Sequence, residues 1–474
     1  MQLFLQECEG LRKIGRAVQL KNSSHMTLPA SLLRDLVNPN LSVGGRAELC
    51  CELARAFEDR GEYEEAREVL SIFWQRIGER PKLVGLVPST AAEVLMRSGV
   101  LTGLIGSQNQ IANAQETAKD LISESLTIFE SQSRQKKIAE AQAELALCYW
   151  RTGEFNEARD RLQDALSRLT IDDELKARVI VRLAIVERGA ADYDKALRIL
   201  TDNAPLFEKV NNQAVKGSYH VTLGIVLKNL WESGKQGDYV DRALIEYAAA
   251  SYHFEQAEHR TYRANVENDL GFLYFKINQC KEAHKHLDRA RRILTSLKDA
   301  VTVAQVDETR ARVFLTEQRN AEAEKVARSS VRTLENSDRY SLLAEALTTH
   351  GTALARLGNY GMALSAFRRA IDLSQQIGSL SRETQAALSM VREIGKCLAV
   401  VERRTLISGR NLKEEMQSIE HDLIKYALET AKGGITRAAR TLGISHQELS
   451  YMLKTRHADL IGLRMPARRR PLKQ

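Results

Sequence analysis

An alanine recurs along this chain at spacings that a repeated structural unit explains. Aligning "RAFEDRGEYEEAREVL", "ALCYWRTGEFNEARDRL", "LAIVERGAADYDKALRIL", "LGFLYFKINQCKEAHKHL" and "HGTALARLGNYGMALSAFRRA" superposes one pattern. It reads small residue, aromatic or apolar residue, turn with Gly or Asn, aromatic, then Ala three residues later. The alanines that end it are Ala66, Ala158, Ala196, Ala243, Ala283, Ala323 and Ala363, separated by 92, 38, 47, 40, 40 and 40 residues. The gap of 92 fits two units with a degenerate copy near Ala118, and the 47 absorbs the insertion "ESGKQGDY" in one turn. About eight units of roughly 40 residues therefore fill the chain from about 40 to 400.

Each unit reads as a helical hairpin. Apolar positions recur at three- and four-residue steps on both sides of the turn, giving each helix one apolar face. Ala54, Ala146, Ala184, Gly224, Gly271 and Gly351 allow close crossing inside a hairpin, and the alanine after the turn does the same between neighbours. One hairpin cannot bury both its faces, so the units must stack.

The turn residues Gly153-Glu154-Phe155-Asn156-Glu157-Ala158 and Gly358-Asn359-Tyr360-Gly361-Met362-Ala363 carry a resemblance to the tetratricopeptide repeat, in its longer form, over about three quarters of the chain. The chain departs from the usual pattern in lacking the proline that closes many units: none lies between Pro205 and Pro466. The resemblance implies an all-α, right-handed superhelix, an α-solenoid, whose concave face binds a protein, a peptide or a small effector. Thr222, Lys228, Asn265 and Asn268 are the candidates for contacts on that face.

Composition adds little until charge is located. Residues 403 to 474 hold 15 Lys and Arg against 7 Asp and Glu, a balance of +8, while the first 402 residues hold 54 of each. A neutral body with a basic end points to a polyanion-binding module. The six cysteines (Cys8, Cys50, Cys51, Cys148, Cys280, Cys397) show no CxxC pair, so reduced, mostly buried thiols are expected. His284 and His286 point apart on a helix and lack a third ligand, and His350 reads as a satisfied core residue, so no metal or other cofactor is expected. There is no basic leader and no apolar run of membrane-spanning length, which predicts a cytoplasmic chain without membrane contact.

The basic end has its own organisation. "MQSIEHDLIKYALETA" (416–431) places Met416, Ile419, Leu423, Ala427 and Leu428 on one helical face, and Gly433 and Gly434 end it. A short helix is predicted over 435–442, a turn at Gly443-Ile444-Ser445, and a third helix from His446 to about Lys454. With Ile435 as first position, Ala439 is fifth, Gly443 ninth, Leu449 fifteenth and Met452 eighteenth, the spacing of a helix-turn-helix. Ala439 is small where helices cross, Gly443 supplies a positive φ, and Leu442, Ile444, Leu449 and Leu453 close the core. Ser445-His446-Gln447-Glu448 reads as a capping box, so Glu448 is a cap before it is a base reader.

Residues 416–454 resemble the Fis-type helix-turn-helix, through "HDLIKYALETAKGG" and "TRAARTLGISHQEL". The resemblance implies binding of double-stranded DNA, commonly as a homodimer. Gly434 stands where the family usually has Asn, and His446, Ser450 and Tyr451 stand where Arg or Lys is common. With the third helix in the major groove, Ser445, His446, Gln447, Ser450, Tyr451 and Lys454 face DNA, Gln447 suiting adenine. Lys432, Arg437, Arg440 and Arg456 are placed for phosphate. The tail "RMPARRRPLKQ" follows a groove or is a solvated end.

The expected organisation is an N-terminal helical cap (1–40), repeats (41–400), a linker (401–415), the helix-turn-helix domain (416–460) held away from the repeats, and a basic tail (461–474). No GxxxxGK[ST] loop and no grouping of nucleophile, base and orienting residue appears, so no enzyme is expected. The expected function is a sequence-specific transcription regulator of bacterial type whose repeats sense an effector. A repeat-based scaffold or adaptor with a C-terminal docking module is the alternative.

Overall fold

The computed structural model describes residues 41–109, 111–234, 237–401 and 412–463. The expected N-terminal cap, most of the linker and the tail from 464 onward lie outside them. Among the described residues every regular element is a helix. The chain divides between Leu273 and Tyr274 into two compact units.

The first unit begins with α1 (Val43–Glu58) and α2 (Tyr63–Val69), a hairpin turned at Gly61. It continues through α3 (Pro88–Gln108) and α4 (Ala114–Ser131), α5 (Gln135–Thr152) and α6 (Phe155–Arg168), and α7 (Glu174–Gly189) and α8 (Tyr193–Asp202). A short α9 (Ala204–Lys209) precedes α10 (Gln213–Glu232) and α11 (Tyr239–Gln256), and α12 (Arg260–Lys276) reaches the division. The α5–α6 turn shows how the sequence stops one helix and starts the next. Gly153 takes φ +84°, and the Glu154 amide donates back to the Tyr149 carbonyl at 2.9 Å, satisfying an end carbonyl of α5.

Repeat alanines Ala66, Ala118, Ala158, Ala196 and Ala243 are all fully buried in this unit, including the degenerate copy at Ala118. Their small volume is what the packing requires. Gly224 on α10 makes the same point within a hairpin, since a Cβ there would meet the Tyr247 ring of α11 at 3.0 Å. Cys50, Cys51 and Cys148 are buried free thiols. Burial pushes Cys50 up to about 12 and Cys148 up to about 11, so neither is a ready nucleophile.

The second unit holds α13 (Cys280–Ser296), α14 (Ala300–Thr316), α15 (Asn320–Leu334), α16 (Tyr340–Arg356), α17 (Tyr360–Gln376) and α18 (Leu380–Val401). Ala283, Ala323 and Ala363 are again fully buried. Gly351 on α16 lies against Phe367 of α17, where a Cβ would stand 2.9 Å from the ring. Side-chain bonds link successive hairpins within this unit: Arg356 donates to the Leu315 carbonyl at 2.7 Å and pairs with Glu393 at 3.2 Å. His284 pairs with Glu317 at 3.1 Å, His286 stacks on Tyr274 with centroids 5.2 Å apart, and half-buried His350 pairs with Glu324 at 3.2 Å. No helix among the described residues is long and apolar enough to cross a membrane.

Candidate nucleic-acid interface

Three helices close the second unit: α19 (Leu412–Thr430), α20 (Ile435–Leu442) and α21 (His446–Thr455), followed by a 3-10 turn at Ala458–Leu463. Between α19 and α20, Lys432 and Gly433 take φ +50° and +76°, and the Gly433 amide donates to the Leu428 carbonyl at 2.7 Å. Between α20 and α21, Gly443 takes φ +68° and the Ile444 amide donates to the Ala439 carbonyl at 3.0 Å. The left-handed residue reverses the chain, so two short helices cross over Ala439, which is 2% exposed. Ile424, Leu428, Ile435, Leu442, Leu449 and Leu453 form the core beneath them.

Ser445 caps α21, accepting from the Glu448 amide at 3.0 Å. The return bond from the Glu448 carboxylate to the Ser445 amide is not made among the described residues, so half of the capping box forms. The exposed surface of α20, α21 and the turn before α20 carries most of the predicted contact residues. Lys432, Arg437 and Arg440 are exposed on one side, and Ser445, His446, Gln447, Tyr451 and Lys454 along α21. Lys432, Arg437, Arg440 and Lys454 have no ion pair among the described residues. The repeat arginines differ: Arg97, Arg159, Arg178, Arg182, Arg312 and Arg356 all hold carboxylates.

Two predicted contacts stand differently. Ser450 is half-buried, and its hydroxyl is shielded from solvent without a hydrogen-bond partner. It turns toward the core rather than outward with its neighbours. Arg456 donates to Glu420 at 3.4 Å, so this cation is engaged with α19. Glu420 is 3% exposed and also faces the buried His457 at 3.5 Å. The sequence reading missed this carboxylate, which ties α19 to the segment after α21. Its only signal was an acidic residue on the apolar side of α19, next to Ile419. Beside it, His421 bonds Asp459 at 2.6 Å, and that hydrogen bond raises the imidazole pKa.

The helix-turn-helix is not held away from the repeats. Met416 is buried with Met390 and Ile394 of α18, and Ile419 packs on the same cluster. Met416 also lies near Gly395, where a Cβ would stand 3.7 Å from its methyl, an ordinary contact. One end of α19 therefore belongs to the last repeat and the other to the helix-turn-helix core, because its apolar stripe is long enough to serve both. The exposed face of α21 stays free of this contact.

The inner-face candidates separate as well. Thr222 is 3% exposed and its hydroxyl donates to the Ser218 carbonyl at 2.7 Å, a bond within its own helix, which removes it from the surface. Lys228 places its ammonium 5.6 Å from the centre of the Phe272 ring. Asn265 is exposed, and half-buried Asn268 keeps its carbonyl oxygen shielded and without a partner.

Residues 415–455 match the family model described as bacterial regulatory protein, Fis family, and residues 344–377 match the tetratricopeptide repeat. Among solved structures, the chain is similar to a Rap protein complexed with competence and sporulation factor, at 12% identity and a TM-score of 0.48, covering 80% of this chain and 99% of that one. It is also similar to the apo form of the quorum sensor NprR from B. thuringiensis, at 11% identity and a TM-score of 0.49, covering 77% and 97%. A stretch of 147 residues is 26% identical to the RxLR effector protein SFI4 of Phytophthora infestans (strain T30-4), covering 31% of this chain. The match spans 39% of the length of that curated relative. The chain carries a tetratricopeptide repeat over residues 344–377, within an array of helical hairpins, and a C-terminal Fis-type helix-turn-helix over residues 415–455.

Proposed function

We propose that this chain is a sequence-specific DNA-binding transcription regulator of bacterial type, working in the cytoplasm, whose repeats sense a protein, peptide or small effector. One observation carries the reading. Exposed before α20, along it and in the last turn of α21, Lys432, Arg437, Arg440 and Lys454 have no carboxylate partner among the described residues, where most other arginines are paired. Unpaired cations beside an exposed, capped helix suit phosphates flanking a groove-reading element. His446, Gln447 and Tyr451 are then the base-edge or phosphate contacts, with Gln447 matched to adenine. Residues 416–460 are the reading domain and 41–400 the sensing array.

One such domain covers a half-site, so two copies pair on a site with centres about 34 Å apart, one helical turn. Effector binding reaches the reader through α19, whose Met416 end is packed into the last repeat. The test is selection of duplexes from a random pool by the full chain. Enrichment of a paired half-site motif supports the reading. Recovery of unselected sequence favours the adaptor, whose C-terminal module only docks.

A further inference from the structure

The inner helices of the first unit carry charges that DNA reading does not use. Arg97, with 2% of its side chain exposed, is held at 2.8 Å by both Glu58 and Glu140, and Arg55 also reaches Glu140 at 2.8 Å. Arg182 pairs with Glu144 at 2.7 Å and Arg178 with Asp59 at 2.8 Å. Glu93 and Glu174 back Arg97 and Arg178 from outside. These pairs surround a cavity of about 320 Å³.

The pairing is incomplete in one region of that lining. Arg151 and Arg188, which also line the cavity, have no ion pair among the described residues. The Nε of Arg188 and one terminal nitrogen of Arg182 are shielded from solvent and donate to nothing. A guanidinium donor buried without an acceptor is costly, and burial lowers the Arg188 pKa. Elsewhere in the lining, Glu58 keeps one oxygen shielded and accepting nothing. Between these polar groups the walls are apolar, including Val100, Leu104, Leu147 and Ile185.

The unused groups describe a complementary molecule. The guanidiniums of Arg151 and Arg188, which line the cavity without an ion pair among the described residues, call for a two-oxygen acceptor, which a carboxylate supplies in the matching planar geometry. The Glu58 carboxylate, 11% exposed on the same lining, suits an N–H donor, and the walls call for an apolar body. The volume sits at the low end of small-molecule pockets, which begin at roughly 300 Å³, and excludes a folded partner from the cavity itself.

We propose that this cavity is the effector site, and that it takes a small carboxylate with an apolar body and an N–H donor: an N-acylated amino acid, free or at the end of a peptide. This rests on the reading of the repeats as the sensing part of the chain. The ligand carboxylate sits between Arg182 and Arg188, with Arg151 as the further cation, and its N–H faces Glu58.

The test is calorimetric titration of the full chain with N-acetyl-phenylalanine, with its C-terminal amide, and with the N-acetylated tripeptide Ala-Leu-Phe. Both acids should bind, and the amide at least tenfold more weakly. Tighter binding of the tripeptide assigns the chain-end source, and equal binding assigns the free amino acid. Arg188→Gln should weaken the acids at least tenfold, while Arg369→Gln, in the other unit, leaves them unchanged. Should Arg188→Gln fail to fold, Arg151→Gln carries the same expectation. Absence of binding by both acids, an amide that binds as well as its acid, or cavity variants that bind normally would overturn the proposal. DNA affinity is read separately with and without bound acid. Acid binding that leaves DNA affinity unaltered contradicts the effector role while the carboxylate site stands.

Discussion

Gly61, in the first turn of the repeats, lies against the imidazole of His259, so that a Cβ on Gly61 would fall 2.2 Å from His259 Cε1. The neighbouring Tyr63 and Tyr262 hydroxyls are 3.3 Å apart. Gly61 also takes φ +71°, a left-handed conformation that disfavours any side chain. Gly61→Ala therefore combines backbone strain with a contact that His259 can relieve only by leaving its stack on Tyr262, whose centroid is 3.9 Å away. The expected loss is about 2–4 kcal/mol, read as a lower urea midpoint for the first unit. A midpoint equal to wild type would mean the contact is not made.

His259 also makes stability depend on pH. Its burial lowers the pKa from 6.5 to about 4, and its Nδ1 accepts from the Tyr262 amide at 3.3 Å, which requires the neutral ring. The unfolded chain takes up the proton first, so the contribution of this group is constant above about 6.5 and declines as pH falls toward 4. The group contributes about 3 kcal/mol to that decline. His259→Asn keeps an acceptor at the helix start without titrating. Its urea midpoint should show a smaller loss between pH 7 and 4.5 than wild type.

Gly351 and Phe367 offer a test of packing in the second unit. The φ of Gly351 is that of an ordinary helix, so Gly351→Ala gains helix propensity but must displace a ring that a Cβ would approach to 2.9 Å. Phe367 is fully buried and has little room to move. Net destabilisation of about 1–2 kcal/mol is expected from thermal unfolding. Stabilisation would show that the two helices can separate freely.

The half-formed capping box gives a paired prediction. Ser445→Ala removes the acceptor for the Glu448 amide and should cost about 1 kcal/mol, seen as faster amide exchange in α21. Glu448→Ala should change exchange little, because its carboxylate makes no return bond. Equal effects would show that the full box forms in solution.

Much of this architecture was legible in residue spacing. A strict alanine after each turn reports a helix crossing where nothing larger fits, and all eight such alanines, Ala118 among them, are fully buried. The turns themselves were harder to see. Ser133, Ala191, Glu258, Asn278, Lys298 and Gln318 take positive φ between 55° and 62°, where glycine would have been the expected signal. All six are exposed, so the helices that flank each turn, and not packing of the residue itself, set this conformation, which local sequence does not encode.

Long-range pairings were not legible at all. Nothing near Gly61 signals that His259 fills its space, and nothing near Arg456 signals the buried Glu420 that engages it. The helix-turn-helix was readable because its constraints are local: a small residue at Ala439, a left-handed turn at Gly443 and a cap at Ser445 lie within seven residues. The docking of Met416 on α18 was not readable, because one amphipathic stripe does not state how many partners it serves.

The central claim is that the unpaired cations around α21 meet DNA phosphates while α21 reads sequence. The most direct measurement is affinity of the full chain for its selected duplex and for a scrambled one, across a salt series, compared with the Arg437→Ala/Arg440→Ala double variant. The account predicts tighter binding to the selected duplex, and for the double variant a salt slope shallower by about 2 with the preference retained. Equal affinity for both duplexes, or a slope unchanged by removing both arginines, would contradict it.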